Sequence, residues 1–124
     1  MTLKELTCLA MAHPGAGNAK VTAALLQGNR LLAIGYNQRK THPLAKKFGK
    51  NSEAIYLHAE VDAIINAVRV WGIAALRGST LKVARVLKNG TPALAKPCEG
   101  CQRAIIAFEI GEVEWTTSEG TSDD

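Results

Sequence analysis

His58-Ala59-Glu60-Val61-Asp62-Ala63-Ile64-Ile65-Asn66-Ala67-Val68 is the stretch on which the fold turns. Val61, Ile64, Ile65 and Val68 recur at i, i+3, i+4 and i+7, which is one face of an α-helix. The spacing predicts about three and a half turns, ending near Trp71-Gly72. His58 and Glu60 then stand in the first turn, where the helix dipole favours a carboxylate and other negative charge.

Upstream, Leu3, Leu6, Leu9 and Ala10 fall at helical spacing over residues 3–12, and His13-Pro14-Gly15 ends that segment. Val21 to Leu26 and Leu31 to Ile34 are apolar runs on either side of Gln27-Gly28-Asn29-Arg30, which reads as a β-hairpin. Residues 35–57 lack clear periodicity and read as a long loop with at most a short helical piece, and loops of that length are usually functional. Downstream, Leu81, Val83 and Val86 predict a strand over 80–87. Residues 98–109 predict a second helix with Ile105, Ile106 and Phe108 on its core face and Gly111 as its stop. Val113 to Thr117 reads as a last strand, and Ser118 to Asp124 as a polar tail. This order predicts an α/β fold in one domain spanning 1–124: a mixed sheet of four to five strands sandwiched by helices.

A chain of 124 residues with 47% apolar and only 5% aromatic residues suits one domain with an aliphatic core. No run approaches the roughly 18 apolar residues that a membrane span needs. The start lacks the pattern of a signal peptide, so no membrane association and a cytoplasmic location are expected. Three cysteines, two of them in one Cys-x-x-Cys, argue against a disulfide framework and for metal binding or redox chemistry. Cys8, in an apolar helical segment, reads as a small buried hydrophobe. The net charge is +4, and Arg39, Lys40, Lys46, Lys47 and Lys50 cluster within residues 39–50. A basic loop suits a phosphate-bearing ligand, although a solvated lysine-rich loop has the same composition.

Pro97-Cys98-Glu99-Gly100-Cys101 adds two thiolates 40 residues after His58. One imidazole and two thiolates form a donor set that suits zinc. Three protein ligands leave a tetrahedral zinc one open position, as in catalytic sites. Water activated there is a nucleophile near neutral pH. Glu60 is too near His58 to be a comfortable fourth ligand and is placed to shuttle protons. A closed structural site would need a fourth ligand from Cys8, His13 or His42, none in paired spacing. A redox pair would leave His58 and Glu60 unexplained. Pro97 pre-sets φ just before a helix and needs no amide partner.

His-x-Glu followed by Pro-Cys-x-x-Cys is the signature of zinc nucleobase deaminases. With it, the chain resembles the cytidine/deoxycytidylate deaminase superfamily, most closely the deoxycytidylate deaminases. The resemblance implies a cytidine deaminase-like α/β/α fold, Zn²⁺ on His58, Cys98 and Cys101, and Glu60 as the group that moves protons. Gly35-Tyr36-Asn37 matches the Gly-Tyr-Asn element of deoxycytidylate deaminases, which makes Asn37 a substrate-binding candidate; a turn-forming Asn at a strand end is the alternative. The resemblance also implies that the backbone at Ala59 contacts the pyrimidine, with Pro97 beside it. His42 is a candidate for stacking on or bonding to substrate, or else a surface histidine. Lys46, Lys47 and Lys50 are candidates for a 5′-phosphate. Trp71, Tyr56 and Trp115 read as packing or subunit-contact residues.

The implied activity is zinc-dependent conversion of dCMP to dUMP with ammonia release, acting on a small pyrimidine nucleotide. A nucleoside or base deaminase, a deaminase of single-stranded nucleic acid, and a non-enzymatic zinc module stay open. Few aromatics and no long basic stripe weigh against nucleic acid. Many relatives continue past the fourth strand with further elements. The sheet edge left here would need cover, so a homo-oligomer is expected.

Overall fold

In chain order the elements are α1 (Leu3–Ala12), β1 (Ala19–Gln27), β2 (Arg30–Tyr36), β3 (Gln38–Thr41), β4 (Tyr56–Leu57), α2 (Ala59–Trp71), a 3₁₀ turn (Ile73–Leu76), β5 (Thr80–Leu87), β6 (Pro92–Ala93), α3 (Glu99–Ala107), β7 (Glu112–Thr117) and β8 (Gly120–Thr121). The computed structural model describes residues 1–12, 19–41, 56–87, 89–117 and 120–121. The hairpin forms as the two apolar runs predict, with Gly28 at φ 62 opening its two-residue turn, a conformation that glycine adopts without a Cβ penalty.

The sheet runs β2-β1-β5-β7-β8 and is mixed. β1 is antiparallel to both β2 and β5, while β5 and β7 are parallel. β7 pairs only the first half of β5, Thr80 to Val83, and β6 takes Arg85 and Val86 in the second half. That division leaves residues 94–98 to run out of the sheet toward the start of α3.

Helices cover both faces. On one, Leu3 and Leu6 of α1 pack with Ala24, Leu26 and Ala84. On the other, Ala59, Ala63, Ile64, Ala67, Ala104 and Ile105 of α2 and α3 pack on Ala23, Leu25, Leu81 and Val83. Alternate residues of β1 thus serve opposite layers, as a strand's period of two requires. Full burial of a leucine stabilises by about 1.5–3 kcal/mol, and Leu3 and Leu6 hold α1 down on that scale. The fold is the expected α/β sandwich. Among the described residues, no helix is long and apolar enough to cross a membrane.

Five local expectations need correction. Ile106, expected on the core face of α3, is 75% exposed, while Ile105 is buried and Phe108 packs against the core. Cys8 is exposed. It lies two residues from both Leu6 and Ala10, about 200° round the helix from each, so the buried stripe turns it to solvent. The stretch 35–57 is not all loop: β2 reaches Tyr36, and Gln38–Thr41 pairs with Tyr56–Leu57 across residues 42–55, which lie outside the described residues. α3 stops at Ala107, before Gly111. Glu109 takes a left-handed φ of 58, and Ile110 N–H closes onto Ile105 O at 3.1 Å. Gly111 instead meets the Gly78 backbone, 3.3 Å from where a Cβ would stand. Finally, Gly120 and Thr121 turn back onto Thr117 and Thr116, so the tail is not wholly irregular.

Candidate metal centre

Two helix starts converge on one point. His58 is the N-cap of α2 and Cys98 the N-cap of α3, both extended at ψ 155 and ψ 170. His58 therefore stands one residue ahead of the first turn in which its spacing had put it. Its side chain makes no capping bond, whereas Cys98 Sγ accepts the Cys101 N–H at 3.5 Å. His58 Nδ1 lies 3.3 Å from Cys101 Sγ and 3.5 Å from Cys98 Sγ. The ligand atoms of all three residues fall within 4.8 Å of one another.

These separations can be tested against zinc. With Zn–N near 2.0–2.1 Å and Zn–S near 2.3 Å, tetrahedral coordination puts nitrogen and sulfur donors about 3.5 Å apart. The measured pairs match, and they identify Nδ1 as the nitrogen that faces both sulfurs. His58, Cys98 and Cys101 are positioned to bind a metal ion, and the donor set fits zinc.

The protein groups polarise one another. Hydrogen bonds from Cys101 and then His58 push the Cys98 thiol down to about 3. The same bond to Cys98 raises His58. Cys101, bonded to Cys98 and buried, is pushed up. Glu60, in the first turn of α2, is buried, and that burial raises its carboxyl. The Cys101 thiol opposes that rise as a lesser cause.

A polar seam joins α2 to the outer strand of the sheet. Asp62 Oδ2 accepts the Tyr36 N–H at 3.0 Å, Asn66 Nδ2 donates to Ile34 O at 2.9 Å, and Trp71 Nε1 donates to Leu32 O at 2.9 Å. Among the described residues β2 pairs only with β1 in this sheet, so these side chains stand where a next strand would bond. Between them, the helix comes so close that a Cβ on Gly35 would overlap Ala59 O and Ala63 N and lie 2.8 Å from Ala63 Cα. At the other side of the site, the buried Thr116 hydroxyl donates to Ala93 O at 2.7 Å and accepts the Arg85 N–H at 3.0 Å. Thr116 O accepts the Ala95 N–H at 2.9 Å, which anchors the chain just ahead of Pro97 and Cys98. Gln102 then ties the Pro97 carbonyl to α3 at 2.8 Å.

The remaining candidates are placed as follows. Asn37 follows β2 directly; its Oδ1 accepts the Val21 N–H at 3.1 Å, and its own N–H donates to Val21 O at 3.2 Å. Ala59 is fully buried at the start of α2. Pro97 is buried and, with Lys96, Ile105, Ile106, Val113 and Trp115, lines a cavity of about 280 Å³ beside α3 and β7. His13, His42, Lys46, Lys47 and Lys50 lie outside the described residues. Trp71 carries the Arg30 guanidinium 5.4 Å above its ring, and Trp115 packs half-buried against the core. Asp62, Asn66 and Thr116 escape the sequence reading. For the first two, the signal was a polar i, i+4 pair set among the alanines and apolar residues of α2; Thr116 offered none.

Residues 2–117 match the family described as the cytidine and deoxycytidylate deaminase zinc-binding region. Among solved structures, the chain is similar to the dCMP deaminase from the cyanophage S-TIM5 in complex with dCMP and dUMP. That match has a TM-score of 0.63 and 19% identity over 93% of this chain and 77% of that one. The apo form of the cyanophage enzyme gives a TM-score of 0.52 at 23% identity over 78% of this chain, which spans 65% of that one. The cytidine deaminase from Mycobacterium leprae gives 0.58 at 23% identity, over 98% of this chain and 92% of that one. At these identities the likeness is one of fold. No curated protein matches the chain in sequence.

Proposed function

This chain belongs to the cytidine and deoxycytidylate deaminase zinc-binding family, and from that premise we propose that it deaminates a cytosine nucleotide, dCMP to dUMP. The observation that carries the reading is a three-donor cluster with a buried carboxyl, Glu60, two residues after its histidine. His58, Cys98 and Cys101 would hold zinc. When bound, the ion supplies Lewis acidity that makes water nucleophilic near neutral pH. Overall, water adds at C4 of cytosine, the bond from C4 to the exocyclic nitrogen breaks, and ammonia leaves. Glu60 takes a proton from the water, hands it to N3, and later carries one to the departing amine. Asn37, the backbone at Ala59, Pro97 and His42 are the proposed contacts to the nucleoside.

The nucleotide half of the reading has three supports. The cyanophage dCMP deaminase, whose structure holds dCMP and dUMP, shares the fold. Gly35-Tyr36-Asn37 keeps the element seen in deoxycytidylate deaminases, and Lys46, Lys47 and Lys50 supply positive charge for a 5′-phosphate. A nucleoside substrate is the second reading, favoured by the fit to the Mycobacterium leprae cytidine deaminase over nearly all of both chains. An assembly of identical copies completes the proposal; exposed Ile106 on the apolar cavity and exposed Leu94 support it, and light scattering reads the mass.

The test is ammonia release by zinc-loaded protein from dCMP, CMP, deoxycytidine, cytidine and a short cytosine-containing DNA strand. Selective turnover of dCMP is expected. Alanine at Lys46, Lys47 or Lys50 should then raise KM for the nucleotide and spare the nucleoside. Equal effects on both would remove the lysines from phosphate binding, and turnover of nucleosides alone would overturn the nucleotide half.

A further inference from the structure

We propose that Asp62 is a positioning residue that holds the Asn37 end of β2 at a set distance from the His58 turn. The proposal rests on the deaminase reading above. Asp62 joins the two parts directly: its N–H donates to His58 O at 2.9 Å, the first bond of α2, while its Oδ2 accepts the Tyr36 N–H at 3.0 Å. The residue bonded to the candidate ligand's carbonyl is thus also bonded to the neighbour of the candidate substrate contact.

The surroundings show that this joint is built. Asp62 is 8% exposed, and taking a carboxylate out of water is costly unless it is well bonded. Its place in the first turn of α2 lets the helix dipole offset part of that cost. One turn on, Asn66 holds Ile34 O; Gly35 lets α2 approach; Asn37 is fastened to Val21. Four successive residues, 34 to 37, are therefore each pinned, three by a side-chain bond and one by close packing. A role limited to covering the sheet edge would ask for acceptors and donors anywhere along β2. The carboxylate stands instead at the end of the strand that leads into Asn37.

The experiment compares D62L, which keeps bulk and loses the acceptor, with D62N, which keeps an acceptor. In D62L, zinc content should equal that of the wild type, KM for dCMP should rise about tenfold, and kcat should stay within about threefold. D62N should restore KM. The Tyr36 amide should exchange with solvent faster in D62L and at the wild-type rate in D62N. If D62L does not fold, D62E keeps the charge but sets it one carbon further out, and the rise in KM should persist. Wild-type KM in D62L, or unchanged Tyr36 exchange, overturns the proposal. If the wild type releases no ammonia from any cytosine compound, the deaminase reading fails, and the amide exchange alone decides whether the joint exists.

Discussion

Gly35→Ala is the sharpest test of how the candidate site is assembled. A Cβ there would lie 2.8 Å from Ala63 Cα and nearer still to Ala59 O and Ala63 N, whereas ordinary contact begins at 3.4 Å. The three nearest atoms are all backbone, so rotating a side chain aside does not relieve them. Strand and helix must part by about 1 Å. Overpacking of this kind costs about 1–3 kcal/mol. The same movement stretches the Asp62 and Asn66 bonds from 3.0 and 2.9 Å beyond hydrogen-bonding range, at about 1 kcal/mol each. The expected loss is about 3–5 kcal/mol, which for a domain of this size lowers Tm by about 10–20 °C. A displacement of that order between Asn37 and His58 should also cut dCMP turnover about a hundredfold below the melt. Gly28→Ala is the control: nothing lies within 4 Å of its Cβ, so only the left-handed φ of 62 resists, at about 1–2 kcal/mol. Thermal melts followed by circular dichroism measure both variants. A G35A melt within about 3 °C of wild type would refute the account of the close approach.

Three further outcomes are expected. Glu60→Gln should keep zinc at wild-type stoichiometry by metal analysis while kcat falls about 10²–10⁴-fold; retained activity would take the carboxyl out of the proton transfers. Chelation of zinc, or Cys101→Ala, should lower Tm in a zinc-dependent way, because an ion that binds only the folded chain stabilises it by mass action; a melt indifferent to added zinc would contradict the three-donor fit. Thr116→Val should cost about 2–3 kcal/mol in denaturant unfolding, since it strips partners from the Arg85 N–H and the Ala93 carbonyl; a loss under 0.5 kcal/mol, on the order of a neutral surface change, would show that water replaces the hydroxyl.

Legibility in the sequence followed the range of the interaction concerned. α1, the β1–β2 hairpin and α2 are written in apolar periodicity, which acts within a turn or a strand length; α1 begins at Leu3 itself, while β1 and α2 begin at Ala19 and Ala59, just ahead of Val21 and Val61. The metal donors were legible because their chemistry is carried by residue type, and two short motifs suffice to name them. Gly111 was misread because a glycine after a helix ordinarily ends it, whereas here Glu109 takes the left-handed turn and Gly111 yields to Gly78. The β3–β4 pair joins Gln38 to Leu57 and Thr41 to Tyr56 and leaves no local trace, whereas β6 folds straight back on β5 past Asn89-Gly90 and, at two residues, is too short to show alternation.

Asp62 and Asn66 show where pattern reading stops. At i, i+4 on a helix, a polar pair looks like the solvated side of an amphipathic stripe. Yet Ala59 through Ile64 are all buried, so the first six residues of α2 have no solvated side. Polar groups there must find partners within the protein, and an outer strand is the nearest source of unmatched backbone N–H and C=O groups. The seam between α2 and β2 follows from that requirement. The same six residues adjoin the candidate metal ligand, so the bonds that cover the sheet edge also determine how far the His58 turn stands from Asn37.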